Sequence, residues 1–143
     1  MICLSRSLVA EVFTHLEGHF PHEACGLFLG RRAGAEDAVT QVAHVPNLNT
    51  ERAADRYELD PRGWMAAEKA AAARGERILG VYHSHPDHPA RPSQTDLENA
   101  WPNFVYVIVS VANGTPRDVT CWRLREDRSA FDQGDLRTWR TES

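Results

Sequence analysis

Residues 104–111 read FVYVIVSV, an unbroken run of β-branched, aromatic and other apolar residues with one serine. A run of that length and composition, with no polar side to offer water, reads as a strand buried on both faces. RILGVYH (77–83) and ACGLFLG (24–30) have the same character, and VTQVAHV (39–45) alternates as a half-buried strand does. DVTCWRLR (118–125) is a further strand, and NGTP (113–116) supplies the turn before it. Between these runs, Leu4, Leu8, Val9, Val12, Phe13 and Leu16 recur at helical spacing, which predicts an amphipathic helix over 5–18, closed by Pro21. Asp60-Pro61 is a helix start, with Asp as N-cap and Pro at N1, and Gly75 ends the alanine-rich segment that follows. PSQTDLENA (92–100) predicts a short helix. The expected order is α-β-β-α-β-α-β-β, an α/β fold: a single-domain mixed β-sheet flanked by helices. The domain is expected over residues 1–125. The tail, 126–143, is polar apart from Phe131, Leu136 and Trp139, and is expected to pack loosely.

Composition narrows the function classes. A chain of 143 residues fits one domain able to bury its own core. A formal net charge of −4 argues against nucleic acid as a partner, since phosphate binding calls for a basic patch. No apolar run approaches the ~20 residues needed to cross a bilayer, and the N-terminus lacks a basic-then-apolar leader pattern, so no membrane role is expected. Cysteines stand at 3, 25 and 121 with no C-x-x-C, a poor disulfide framework that fits a reducing cytoplasm.

The chemistry concentrates in HSHPDHPARPSQTD (83–96). Side chains alternate across a strand, so His83 and His85 share a face, with Cα atoms roughly 6.5–7 Å apart. At the end of a strand they can project into a cleft and converge on one ion. A proline-rich loop then turns the chain, and Ser93 opens a helix whose first turn carries Asp96, a carboxylate able to swing back as a third ligand. Three protein ligands leave a tetrahedral ion one open position, the mark of a catalytic centre. Ser93 followed three residues later by Asp96 is also an ordinary helix-capping pair, and the two readings are compatible for Ser93. Glu23, at the mouth of strand 24–30, is the candidate proton carrier, provided that strand neighbours 77–83.

E-x-C-G-x-x-x-G at 23–30, HSHP at 83–86 and S-x-x-D at 93–96 together resemble the JAMM (MPN+) metallopeptidases. The resemblance covers about residues 4–125 and implies the JAMM/MPN fold, cytidine-deaminase-like in architecture. It implies that His83, His85 and Asp96 bind Zn2+, that Glu23 is the general acid/base, and that the Ser93 hydroxyl supports the oxyanion. The chain is most similar to the stand-alone bacterial members, which implies a small ubiquitin-like sulfur-carrier protein with a Gly-Gly-type C-terminus as partner. His22 stands where that family commonly has an acidic residue. The alternative is a non-catalytic MPN-type binding module. A zinc nucleobase deaminase is argued against by the absence of H-x-E and P-C-x-x-C.

Other residues receive plainer readings. Cys25, inside an apolar strand, reads as an inert buried thiol. His15, His19 and His44 read as surface or structural residues without partners at ligand spacing. The segment PNLNTERAADRYEL (46–59) is expected as a long loop beside the substrate. In it, Asn47 is a candidate for hydrogen bonding an extended substrate backbone, with turn chemistry as the alternative, and Tyr57 either lines that groove or fills the core.

Overall fold

The computed structural model describes residues 1–49 and 57–139. The elements run β1 (Ile2–Ser5), α1 (Arg6–His19), β2 (Cys25–Ala33), β3 (Glu36–Val45), α2 (Pro61–Ala73), β4 (Arg77–Pro86), α3 (Gln94–Asn99), β5 (Val105–Ala112), β6 (Thr115–Leu124), β7 (Phe131–Gly134) and β8 (Leu136–Trp139). The strands form one mixed sheet in the order β7-β6-β5-β4-β2-β3-β1-β8. Residues 50–56 of the expected loop lie outside the described residues; its base is held by an Asn47–Leu59 bridge.

The two long helices start where local chemistry predicts. Ser5 caps α1 by accepting from the Leu8 N–H, and Asp60 caps α2 by accepting from the Arg62 N–H. Each helix covers one face of the sheet. Val12 and Leu16 of α1 pack with Phe28, Tyr82, Val107 and Val109, while Ala67 and Ala71 of α2 pack with Leu27, Leu29, Val81 and Tyr106. Alternation along β2 therefore feeds both cores, as a strand buried on both faces requires.

Three strands were not foreseen, and the described part of the tail, to residue 139, is built into the sheet. β7 pairs antiparallel with β6 on one edge of the sheet, and β8 pairs parallel with β1 on the other. Only Asp135 separates β7 from β8. Since consecutive Cα atoms are about 3.8 Å apart, the two edges must approach each other, and the sheet curls around α1. The Ile2 N–H donates to the Asp135 carbonyl at that junction. The apolar residues of the tail explain its order, because Phe131 packs on the α2-side core and Leu136 on the α1-side core.

β4 is the strand that positions the site. It pairs parallel with β5 and antiparallel with β2, and it runs to Pro86, three residues beyond the expected end. Gly80 makes its close approach to β5 possible: a Cβ there would lie 2.1 Å from the Val105 carbonyl oxygen. That neighbour is backbone and cannot yield cheaply. Gly80→Ala is therefore expected to destabilise the fold by about 1–3 kcal/mol or more. The denaturant midpoint reads this, and an unchanged midpoint would mean the two strands separate freely.

Candidate metal centre

The site is assembled by the β2–β4 ladder. Cys25 stands opposite His83, so β2 and β4 are neighbours, the condition on which Glu23 depended. The Ser84 N–H donates to the Ala24 carbonyl and the Ala24 N–H donates to Ser84 Oγ, both at 3.0 Å. These bonds fix Glu23 at the strand mouth beside the two histidines. Asn47 pins it further, its Nδ2 donating to the Glu23 carbonyl at 3.0 Å while its Oδ1 accepts from the Asn49 and Glu58 N–H groups. The amide that sequence reading offered to a substrate thus serves turn chemistry and holds the loop against Glu23.

His83 and His85 share one face of β4, with ring centroids 5.0 Å apart. His83 is 1% exposed. Its Nδ1 lies 3.4 Å from Glu23 Oε1 and its Nε2 lies 3.8 Å from Asp96 Oδ1. Tyr57 stacks on the His83 ring at 4.3 Å; it lines the adjoining cleft and also packs against the α2-side core. The His85 Nδ1 faces the Pro89 carbonyl at 2.9 Å, and its Nε2 lies 3.1 Å from Asp96 Oδ2. A carbonyl only accepts, so Nδ1 carries a proton and Nε2 is the nitrogen available to an ion, the usual way an outer partner orients a histidine ligand. Nothing in the sequence marked Pro89 for this beyond its place in the stiff loop.

Asp96 reaches the histidines through a capping box. Ser93 Oγ accepts from the Asp96 N–H at 3.0 Å, and Asp96 Oδ2 accepts from the Ser93 N–H at 2.8 Å. Both the cap and the site reading thus find a basis in the same residue. Ser93 itself is exposed; the cap uses its oxygen as acceptor and leaves the O–H as a donor.

Electrostatics at these residues are strongly coupled. Burial alone would raise the Asp96 pKa, but the His85 hydrogen bond, the nearby His83 and the Ser93 N–H draw it down to about 2. Burial likewise lowers His85, yet the Asp96 and Pro89 hydrogen bonds outweigh it and hold this imidazole above its ordinary value. A depressed carboxyl pKa contributes stability that is present above its unfolded value and lost as the pH falls through the folded one. With metal chelated away, wild type is therefore expected to lose on the order of 2 kcal/mol between about pH 4 and pH 2 relative to Asp96→Asn. Parallel urea midpoints at the two pH values check it; identical slopes would show that Asp96 has no such coupling.

Glu23 Oε1 and His83 Nδ1 are buried and without hydrogen-bond partners. Leaving such groups unpaired costs about 1–3 kcal/mol each, so the pair is paid for by something other than packing. One donor atom each from Glu23, His83 and His85 lies within 4.8 Å of the others. That group has Glu23 where sequence reading put Asp96, although Asp96 stands against the Nε2 atoms of both histidines. Two imidazoles and two carboxylates around one point fit a divalent metal ion. Beside them opens a cleft of about 570 Å3, walled by Tyr57, Trp64, Val81, Asp96, Phe104 and Tyr106. Of its aromatic walls Tyr57 was a candidate from the sequence; Trp64, Phe104 and Tyr106 were missed because they come from separated segments.

Cys25 takes no part. Burial first, and then Glu23, push its thiol up to about 12, and Sγ is turned toward the Val45 carbonyl.

A family model describing prokaryotic homologs of the JAB domain matches residues 5–125, and the chain belongs to that family. It is 41% identical over 109 residues to a desampylase of Haloferax volcanii, covering 73% of each chain. It is 35% identical over 108 residues to a probable TtuB-protein conjugate cleaving protease of Thermus thermophilus, covering 76% of this chain and 69% of the other. A CysO-cysteine peptidase of Mycobacterium tuberculosis is 30% identical over 125 residues, covering 87% of this chain and 83% of that one. Among solved structures, protein DSY2949 of Desulfitobacterium hafniense superimposes with a TM-score of 0.87 at 31% identity, covering 99% of this chain and 94% of that one.

Proposed function

We propose that the protein is a zinc-dependent peptidase that hydrolyses an amide bond at the C-terminus of a small ubiquitin-like sulfur-carrier protein. The observation that carries this reading is the convergence of Glu23, His83, His85 and Asp96 at the head of one cleft. The relatives named as a probable TtuB-protein conjugate cleaving protease and a CysO-cysteine peptidase support the substrate class. His83, His85 and Asp96 would hold Zn2+, with His85 Nε2 free to face it because Nδ1 is engaged by the Pro89 carbonyl. Zinc, when bound, supplies a Lewis acid for the scissile carbonyl and acidifies water toward neutral pH.

The protein's own groups do the rest. Glu23 Oε1, buried and without a competing hydrogen bond, accepts the proton of the attacking water. The same carboxyl group then delivers that proton to the departing amine nitrogen. The Ser93 O–H donates to the oxygen that gains charge as the carbonyl carbon becomes tetrahedral. Tyr57 keeps the His83 ring in plane, and the aromatic walls exclude water from the reacting bond. Three buried free thiols, Cys3, Cys25 and Cys121, fit a cytoplasmic setting. No described helix is long and apolar enough to cross a membrane.

The test incubates the zinc-loaded protein with sulfur-carrier proteins bearing C-terminal amino-acid or peptide extensions, with products weighed by mass spectrometry. The expected product is a carrier trimmed to its terminal glycine. Binding without cleavage, with zinc verified, would favour the non-catalytic module instead.

A further inference from the structure

On the opposite face of the sheet, α1 and β3 bring together three imidazoles that the sequence keeps apart. Glu11, His15 and His19 follow one another at intervals of four along α1 and so share one stripe of its surface. His44 of β3 meets that stripe. Its ring lies parallel to that of His15 with centroids 3.9 Å apart, and its Nε2 is 3.9 Å from Glu11 Oε1. The His19 ring stands edge-on to His15 at 5.0 Å. Together they line a shallow concavity of about 490 Å3. Surface or structural roles were expected for these histidines; β3, packed beside α1, sets His44 against His15 and Glu11.

We propose that this cluster is a second metal site, binding a borderline transition-metal dication such as Zn2+, Ni2+ or Cu2+ on His15, His19 and His44, with Glu11 as a fourth donor. Two histidines four apart on a helix face can chelate one ion, and imidazole donors select these metals over Mg2+ or Ca2+. His15 is oriented for the task. Its Nδ1 lies 2.7 Å from the hydroxyl of buried Tyr82, which leaves Nε2 for an ion once Nδ1 donates to that oxygen. Burial first, then His44 and His19, lower the His15 pKa to about 4, so the ring is neutral and its lone pair is available at pH 7.

Parallel rings aim their lone pairs side by side, so binding requires His44 and His19 to rotate. Both are exposed, as is Glu11, and the concavity gives them room. The site is separate from the first centre, because Tyr82 and His83, adjacent on β4, point to opposite faces. An ion here would tie α1 to β3.

Zinc stoichiometry on the full chain tests this, measured by equilibrium dialysis with metal analysis. Wild type is expected to bind two Zn2+ and a His19→Gln/His44→Gln variant one. A His83→Ala/His85→Ala variant, checked for folding by circular dichroism, retains one ion, and adding His19→Gln and His44→Gln to it removes that ion. An unchanged stoichiometry in His19→Gln/His44→Gln overturns the proposal. Failure of the peptidase centre looks different: wild type would then bind a single ion that is lost with His19 and His44.

Discussion

Glu23→Gln is expected to keep its zinc and to lose about 10²–10⁴-fold in turnover, the usual worth of a positioned acid–base group. Glutamine fills the same space, and the main chain at residue 23 stays pinned by Asn47 and by the Ala24–Ser84 bonds. What disappears is the basic oxygen. The variant also decides between two donor sets, because Glu23 stands within ligand distance of both histidines just as Asp96 stands against both Nε2 atoms. If Glu23 were a ligand, neutralising it would weaken the metal as well as the rate. Zinc content and single-turnover rate on the same preparation separate the cases. Full activity would remove Glu23 from the mechanism, and loss of zinc would make it a ligand.

His85→Ala is expected to lose the ion of the first centre, and turnover with it. Removing an outer partner of a ligand commonly weakens metal binding about 10–100-fold, and removing a ligand should exceed that. The loss compounds, since His85 is also the closest imidazole to Asp96 and helps keep that carboxyl group ionised. Asp96→Ala should behave alike on zinc, with a smaller change in folding, because Ser93 Oγ still accepts from the backbone N–H at position 96. Competition with a chromophoric chelator reads the affinity. A dissociation constant within about tenfold of wild type in either variant would place the ion elsewhere.

The parts of this molecule that were legible in the sequence are those with local causes. His83 and His85 share a face because strands alternate, and Asp96 follows Ser93 at the interval a helix cap requires. Such patterns need no knowledge of the rest of the chain. The strands rich in β-branched residues and the two long helices were readable for the same reason. β1, β7 and β8 were not: each is four residues long, and each is ordered by partners distant in sequence. FDQG and LRTW carry one or two apolar residues each, too few for a periodic signal, yet Phe131 and Leu136 find the two cores once the sheet curls. Asn47 illustrates the other gap. Its composition-level reading as a loop amide was sound, but only the fold reveals that both ends of that amide are used to hold Glu23 and the loop base. The histidine cluster on α1 likewise needed β3 beside the helix before His44 acquired a neighbour.

The most direct measurement is X-ray diffraction from crystals of the zinc-loaded protein at the zinc absorption edge. A peak is expected about 2.0–2.2 Å from His83, His85 Nε2 and an Asp96 oxygen, separate from any ion held by His15, His19 and His44, with Glu23 near it but outside bonding distance. A zinc-loaded crystal with no peak between those three side chains, or with Glu23 bound in place of Asp96, would contradict it.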